Sequence, residues 1–401
     1  MMHPDLVAMA RHNMAHAAAG TITQTDAITQ VPAEHYYAPE RWQAEMDRIF
    51  RRMPLMLAMS CELSSPGDYK AMEVAGMPVI VARGRDGVIR AFVNECSHRG
   101  AQLMAAGSGN TSRFTCPYHA WSYTLDGKLA GVFAREQFGD FDFDCHGLVE
   151  LPSHERAGLI WVVLAREAVL PFETFLCGYD ELLAQFGFEK WHFFDARTLE
   201  GPNWKIAYDG YLDLYHLPIL HKDTFGSNFP HSTLYYAWGP HQRVASPDPE
   251  LASQLTGEPG TWPAPLLLNG VWTIFPHVSI ASFDGGGGRG VMLSQLFPGD
   301  APGQSFTVQN YVLERAPDAE QAKAATEQFA FLETVVRDED YATGLKQQRA
   351  LATGMKPTVM FGRNEGGGQR FHGWVDRLLA AEDEEVAALF AEPEHTASAL
   401  A

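Results

Sequence analysis

Cysteine is scarce in this chain. There are five in 401 residues, too few and too scattered for a disulfide scaffold. Basic residues are short as well: 30 Lys and Arg against 49 Asp and Glu, a formal net charge of -19. That balance argues against a nucleic-acid footprint and suits a docking partner with a basic face. No uninterrupted apolar run approaches the roughly 18 residues of a membrane span. The opening stretch, MMHPDLVAMARHNMAHAAAG, lacks a basic start followed by a continuous apolar core, so no signal peptide is expected. No flavin or nicotinamide fingerprint is visible. GRNEGGGQR at 362–370 has the glycines of a phosphate loop without its Gly-Lys-Ser/Thr chemistry and reads as a loop. These absences together predict a cytoplasmic protein that binds neither nucleic acid nor membrane.

The apolar content, 46%, is ample for two or three domains. Residues 1–35 are Ala- and Thr-rich and predict a short helical arm, with a helix near 39–51 after Pro39. From about 57 to 165 the apolar period shortens to that of strands. AMEVAGMPVIVARGRDGVIRAFVN alternates strands with turns, GRDG at 84–87 signals a hairpin, Asp126-Gly127 marks another turn, and LIWVVL at 159–164 reads as a strand. Beyond 166 the pattern changes. Residues 171–187 and 203–217 read as helical, WHFFDARTLEG as strand and turn, about 270–315 as sheet, 318–351 as one long helix or two joined ones, and 372–380 as a final short helix. The four glycines at 285–288 predict a loop.

Two cysteines sit in a pattern with histidines: Cys96-x-His98, then 17 residues, then Cys116-x2-His119. Two thiolates and two imidazoles suit zinc. The glycine-rich β context and the pairing of one Cys with one His in each turn suit a mixed-ligand [2Fe–2S] cluster better, one iron taking both sulfurs and the other both nitrogens. Cys61, Cys145 and Cys177 read as buried thiols.

A second constellation lies in NWKIAYDGYLDLYHLPILH, residues 203–221. His216 and His221 are five apart, about 140° around an ideal helix and too far apart for easy joint ligation. Pro218 disturbs the helix between them. Two His and one carboxylate make the facial triad of mononuclear non-haem iron, with positions left open. Asp209, Asp213, Asp223 and several acids in 333–340 are candidates for the carboxylate, and the residues alone do not choose among them. His231 and His277 can line a pocket. Phe225, Phe229, Trp272, Phe275 and Phe283 are candidate substrate contacts.

NECSHRGAQL…FTCPYHAWSYTLDGKL together with D-x-Y-H-x4-H resembles the alpha (terminal oxygenase) subunits of Rieske non-haem iron aromatic-ring-hydroxylating oxygenases. The likeness covers roughly 45–365 and is specific at the metal ligands. It implies an α+β chain with a Rieske β-sandwich-like domain and a helix-grip (START-like) catalytic domain, the latter with an antiparallel sheet and a long C-terminal helix. The implied division is 1–44 as an N-terminal arm of the catalytic domain, 45–165 as the Rieske domain and 166–401 as the catalytic domain. Cys96, His98, Cys116 and His119 would hold the cluster. His216, His221 and Asp340 would hold Fe(II), with Asp338 the nearest competitor to Asp340. Asp213 matches the family's bridging carboxylate, which would link His119 of one subunit to His216 of the next, and Tyr215 would lie near the iron.

The resemblance also implies electrons from NADH or NADPH through a separate ferredoxin and/or flavin reductase, and O2 as co-substrate. It implies an apolar, aromatic organic substrate that is hydroxylated or dihydroxylated, or O- or N-demethylated. The expected assembly is a homotrimer, with a hexamer or an added small beta subunit as variants. An electron-transfer Rieske protein without oxygenase activity is the alternative from another class; it would need no second metal. Three positions depart from the family pattern: Ser97 replaces its Pro, Ala120 its Gly, and Gly210 the Asn six residues before the first iron histidine.

Overall fold

The run at 79–82 is apolar throughout, and it folds into a strand buried on both faces, Val79 and Val81 in one core and Ile80 and Ala82 in another. The computed structural model describes residues 2–228 and 230–391. Strands Asp68–Val74, Met77–Arg83 and Ile89–Val93 run antiparallel, with Tyr69 opposite Ala82 and Val81 opposite Ala91. Glu150–Leu151 and Gly107–Asn110 complete a five-stranded sheet. Leu159–Val162 pairs with Leu55–Met59 and Ser153–Arg156, every residue of its four buried. A small sheet of Phe114–Thr115, Ser122–Tyr123 and Leu129–Gly131 carries the second Cys/His turn. A separate core of Ile80, Phe92, Phe114, Trp121 and Tyr123 fills the space beneath both turns and includes Cys96 and Cys116.

The later half is built on a seven-stranded antiparallel sheet. In spatial order its strands are His192–Gly201, Ser305–Leu313, Gly288–Pro298, Val278–Gly285, Val271–Ile274, His241–Ala245 and Leu234–Trp238. Against it lies a continuous helical run, Ala319–Thr334, Val335–Tyr341 and Ala342–Leu351, whose middle segment is a π-helix. An Asp318 capping box starts the run. Lys205 and Glu45, both fully buried, form an ion pair with Nζ 2.6 Å from Oε2. The pair ties helix Pro39–Glu45 to helix Trp204–Asp209. Among the described residues, no helix is long and apolar enough to cross a membrane.

Several elements differ from the sequence expectation. The four glycines are no free loop: Gly285 pairs with Gly288, and only two residues turn the hairpin. A Cβ on Gly287 would sit 2.8 Å from the Ala325 side chain, so glycine lets the hairpin press on the helix. The GRNEGGGQR stretch enters a helix at Gly366. A Cβ on Gly368 would meet the Phe361 ring at 2.5 Å, so this glycine too serves close packing. That helix, Gly366–Ala380, is followed by another at Asp383–Leu389, so it is not the last. The arm contains helix Pro4–Ala19 and an unexpected strand, Thr29–Pro32, paired with Thr358–Phe361. Region 171–187 splits into two short helices at Cys177 and Gly178, both left-handed. The expected helix over 203–217 stops at Asp209, and a single turn, Leu217–Leu220, follows a break.

Candidate metal centres

The two Cys/His turns are closed by their own backbones. Gly100 N–H donates to Cys96 O and Ala120 N–H to Cys116 O, at 2.9 and 3.0 Å. This sinks both thiols while both imidazoles stay at the rim. The His98 and His119 rings lie 4.7 Å apart, and His98 stacks on Trp121 at 4.8 Å. His98 Nδ1 is buried with no hydrogen-bond partner, an orphan that a metal would satisfy. Burial pushes the Cys96 thiol up, and the Tyr123 hydroxyl, 3.2 Å from its sulfur, pulls the other way. The same hydroxyl accepts from Ser97 N–H and lies 2.9 Å from Ser97 Oγ, which donates to His146 O. Ser97, in the family's proline position, thus ties the first turn to Tyr123. Nothing in the spacing of the motif pointed to Tyr123.

Ala120 has φ +55°, a left-handed conformation that costs an L-residue with a Cβ about 1–2 kcal/mol. Glycine adopts it freely but loses more entropy on folding. Ala120→Gly should therefore stabilise the fold by about 0.5–1 kcal/mol, read as a higher midpoint in thermal unfolding. A lower midpoint would show that the methyl group, not the backbone, matters there.

The second constellation is built differently from a helix pair. His216 caps the start of the Leu217–Leu220 turn and His221 its end, so the rings flank one turn rather than sharing a helix face. Pro218 falls in the first turn, where its missing N–H costs nothing. Asp340 arrives from the π-helix Val335–Tyr341. Its Oδ1 is 3.2 Å from His221 Nε2 and 3.7 Å from His216 Nε2. Among the described residues these three form the only group of three or more His, Cys, Asp or Glu donors lying within 4.8 Å of one another. The Cys96, His98, Cys116 and His119 donors form no such group, as expected where thiolates and imidazoles serve different metal atoms.

Both imidazoles are held from behind. Asp213 Oδ1 is 3.0 Å from His216 Nδ1, and Glu339 Oε2 is 2.7 Å from His221 Nδ1. A carboxylate only accepts, so both Nδ1 atoms carry the proton. The neutral rings then turn Nε2 lone pairs toward the Asp340 carboxylate, three electron-rich groups around one point. Such a set calls for a cation between them. Burial lowers the His221 pKa, yet the hydrogen bonds to Asp340 and Glu339 outweigh it and the net shift is upward. Glu339 and Asp340 are consecutive, and the π-helix lets them reach opposite nitrogens of one ring. Thr224 Oγ1 donates to Glu339 and fixes it further. The role of Glu339 was missed; its partner is 118 residues away.

The other candidates disperse. Asp338 pairs with Arg337 and is half-exposed, and Asp223 is exposed. Asp209 accepts from Tyr36 and lies 3.0 Å from His372 Nε2. Tyr215, next to His216 in the chain, is 59% exposed and lines no part of the adjoining cavity. The broken helix turns it outward. That cavity, of about 900 Å3, is lined by His216, His221, Asp340, Phe225 and Phe283 among others, but not by Trp272, Phe275, His231 or His277. Phe225 packs on His221 with ring centres 5.5 Å apart. Phe229 lies outside the described residues. His277 is buried and pushed down to about 3 by desolvation; its Nε2 accepts from Met56 N–H. Cys177 is buried and pushed up to about 12. Cys145, expected inside, is exposed.

Residues 53–149 match the family described as the Rieske [2Fe-2S] domain, and residues 188–381 the ring hydroxylating alpha subunit (catalytic domain). The glycine betaine monooxygenase oxygenase subunit of Chromohalobacter salexigens is 32% identical over 213 residues, 53% of this chain and 47% of that one. The chain spans about half the length of the curated relatives it matches. Two solved structures share the fold. A quaternary ammonium Rieske monooxygenase, described with carnitine oxidation and inter-subunit electron transfer, has a TM-score of 0.71 at 23% identity, covering 89% of this chain and 95% of that one. Naphthalene 1,2-dioxygenase from Rhodococcus sp., bound to indole, has a TM-score of 0.74 at 20% identity, covering 95% and 100%. With a Rieske [2Fe–2S] domain, a non-haem iron catalytic domain and both donor sets in one polypeptide, the chain belongs to the family of Rieske oxygenase alpha subunits.

Proposed function

We propose that this chain is the terminal oxygenase component of a multi-protein system. In this reading Cys96, His98, Cys116 and His119 hold the cluster, and His216, His221 and Asp340 hold Fe(II). Bound there, the cluster would supply single electrons and the mononuclear iron the activation of O2. The protein's own part is positional. Glu339 and Asp213 keep each Nδ1 protonated and each ring oriented. Phe225 and the cavity wall hold the organic substrate beside the triad and exclude bulk water. One observation carries the reading: a three-donor site with both histidines braced by carboxylates, in the same chain as a Rieske domain. A simple electron carrier would need no such site.

Asp213 is also proposed as the link to a cluster histidine, His119, of a neighbouring subunit. Exposed apolar side chains support an assembly that brings the two together. Tyr118 is 61% exposed beside His119, and Ile219 is 76% exposed between His216 and His221. A head-to-tail ring, most simply a homotrimer, would cover both patches. A ferredoxin and/or flavin reductase drawing on NADH or NADPH would feed the cluster.

For the substrate, hydroxylation of an aromatic ring is one reading. Monooxygenation of an N-methyl group is the other, and the glycine betaine monooxygenase relative favours it. Its balance is R–H + O2 + 2 e⁻ + 2 H⁺ → R–OH + H2O, the hydroxymethyl amine then losing formaldehyde. The deciding experiment supplies the reductase, NADH and ¹⁸O2. Label in the product or in released formaldehyde is expected, two atoms marking a dioxygenase and one a monooxygenase. The Cys96→Ala variant should lose both the Rieske visible spectrum and all labelling. An intact spectrum in that variant would refute the cluster assignment, and wild-type enzyme consuming no O2 with any substrate would refute the oxygenase.

A further inference from the structure

The cavity holds a cation that the metal chemistry does not use. Arg243, on strand His241–Ala245, lines the same cavity as the triad and is only 6% exposed. Its Nε and Nη2 both donate to the carbonyl of Asn269, at 3.2 and 2.6 Å, and its Nη1 meets only the thioether of Met9 at 3.5 Å. A guanidinium has five N–H donors, and here one neutral carbonyl and one weak sulfur acceptor answer three of them. Its face is covered instead. Cζ lies 4.8 Å from the Trp272 ring centre and 5.9 Å from that of Tyr236.

Comparison within the molecule sharpens the point. Three Lys or Arg side chains are buried among the described residues: Arg52, Lys205 and Arg243. Arg52 pairs with Asp383 and Lys205 with Glu45. No carboxylate of the described residues pairs with Arg243, and none is among the charges that act on it. The acids that line the cavity are engaged elsewhere. Asp209 serves Tyr36 and His372, Asp213 serves His216, Asp248 accepts from Glu250 N–H, and Glu365 accepts from Gly362 N–H. Burial pushes Arg243 down to about 10, so it stays charged at neutral pH. Cation–π contact returns less than an uncompensated buried charge costs. A side chain kept only for packing would be cheaper as Met or Leu.

We infer that Arg243 receives a carboxylate of the molecule that is oxidised, anchoring its far end while the reacting carbon sits at His216, His221 and Asp340. The inference rests on the oxygenase reading for calling that molecule a substrate; the binding of an acid does not depend on it. The guanidinium fork matches a carboxylate in a planar, two-point grip, and Trp272 and Tyr236 fix the plane of the fork. A neutral hydrocarbon would leave this charge unanswered. Arg243 is thus a specificity-determining residue, and the substrate class narrows from apolar aromatics to organic acids, betaines included.

Binding without turnover tests this. Isothermal titration of the cluster-loaded protein would compare three acids with their own amides: benzoate and benzamide, phenylacetate and phenylacetamide, glycine betaine and its amide. At least one acid should bind tenfold or more tighter than its amide. Arg243→Gln should abolish that gap, and Arg243→Lys should keep part of it. A second measurement needs no variant. The same acid, but not its amide, should protect Arg243 from an arginine-selective dicarbonyl reagent, read by peptide mass spectrometry. No gap in any pair, a gap that survives Arg243→Gln, or equal protection by acid and amide would each overturn the inference. The ¹⁸O2 experiment reports on the oxygenase separately, so the failure of one is not mistaken for the failure of the other.

Discussion

Asp340→Ala should empty the mononuclear site while leaving the Rieske cluster intact. Among the described residues Asp340 is the one carboxylate facing the Nε2 atoms of both His216 and His221. Without it the two neutral imidazoles are a two-point ligand open to solvent, and iron beyond that held in the cluster should be lost on dialysis. Outer-shell partners of a metal site are worth about 10–100-fold in affinity, and a direct ligand should exceed that. Substrate oxidation should fall by more than ~100-fold. Metal analysis normalised to the cluster's visible absorbance separates this from general misfolding. Glu339→Gln supplies the graded contrast. It keeps an acceptor near His221 Nδ1 but removes the charge, so iron affinity should drop within the 10–100-fold range without vanishing. If Asp340→Ala retained its mononuclear iron, the triad would be wrong, and Asp338, paired outward with Arg337, would have to be reconsidered.

Asp213→Asn should produce the opposite dissociation: both metals bound, turnover suppressed. Its carboxylate accepts from His216 at both the backbone N–H and Nδ1. An amide in its place can still accept one bond, so the ring stays near its position and iron is retained. What is lost is the negative charge that holds Nδ1–H and, in the proposed assembly, the link to His119 of the next subunit. Steady-state oxidation should fall by at least ~10–100-fold. Stopped-flow spectroscopy locates the defect. Reduction of the cluster by the reductase should proceed at the wild-type rate, and its reoxidation with substrate and O2 should slow. Turnover near wild type would remove Asp213 from the electron path and leave it a bracing residue only.

The two sites differed in how much of them was legible beforehand. Cys96, His98, Cys116 and His119 lie in two short turns, and a turn's chemistry is local, so spacing alone announced them. His216 and His221 were visible as a pair, but the helix expected over 203–217 stops before either of them. It ends at Asp209, with Gly210 at its C-cap, and Pro218 can only begin a new turn. Asp340 needed the family pattern, because a carboxylate on a helix carries no mark of where it points. Glu339 and Arg243 were invisible for a related reason. Each is defined by what does or does not meet it across the fold, and periodicity records burial, not partners. The glycine runs misled in another way. Glycine signals loops and close packing alike, and at Gly287 and Gly368 the second use prevailed. The strand Thr29–Pro32 exists only because Thr358–Phe361 comes back to pair with it.

That last pairing bears on how the pocket comes into being. Met9, Ala10 and Asn13 line the cavity from the first helix, and Val359, Met360, Phe361 and Glu365 line it from beyond the long helical run. During synthesis the first wall leaves the ribosome some 350 residues ahead of the last. The Rieske turns can close as soon as residue 150 or so has emerged, while the pocket stays open on one side until Val359, Met360, Phe361 and Glu365 have followed. Cluster loading can therefore precede substrate binding in the life of each molecule, and the N-terminal segment must wait, unpaired, for a strand made more than 300 residues later.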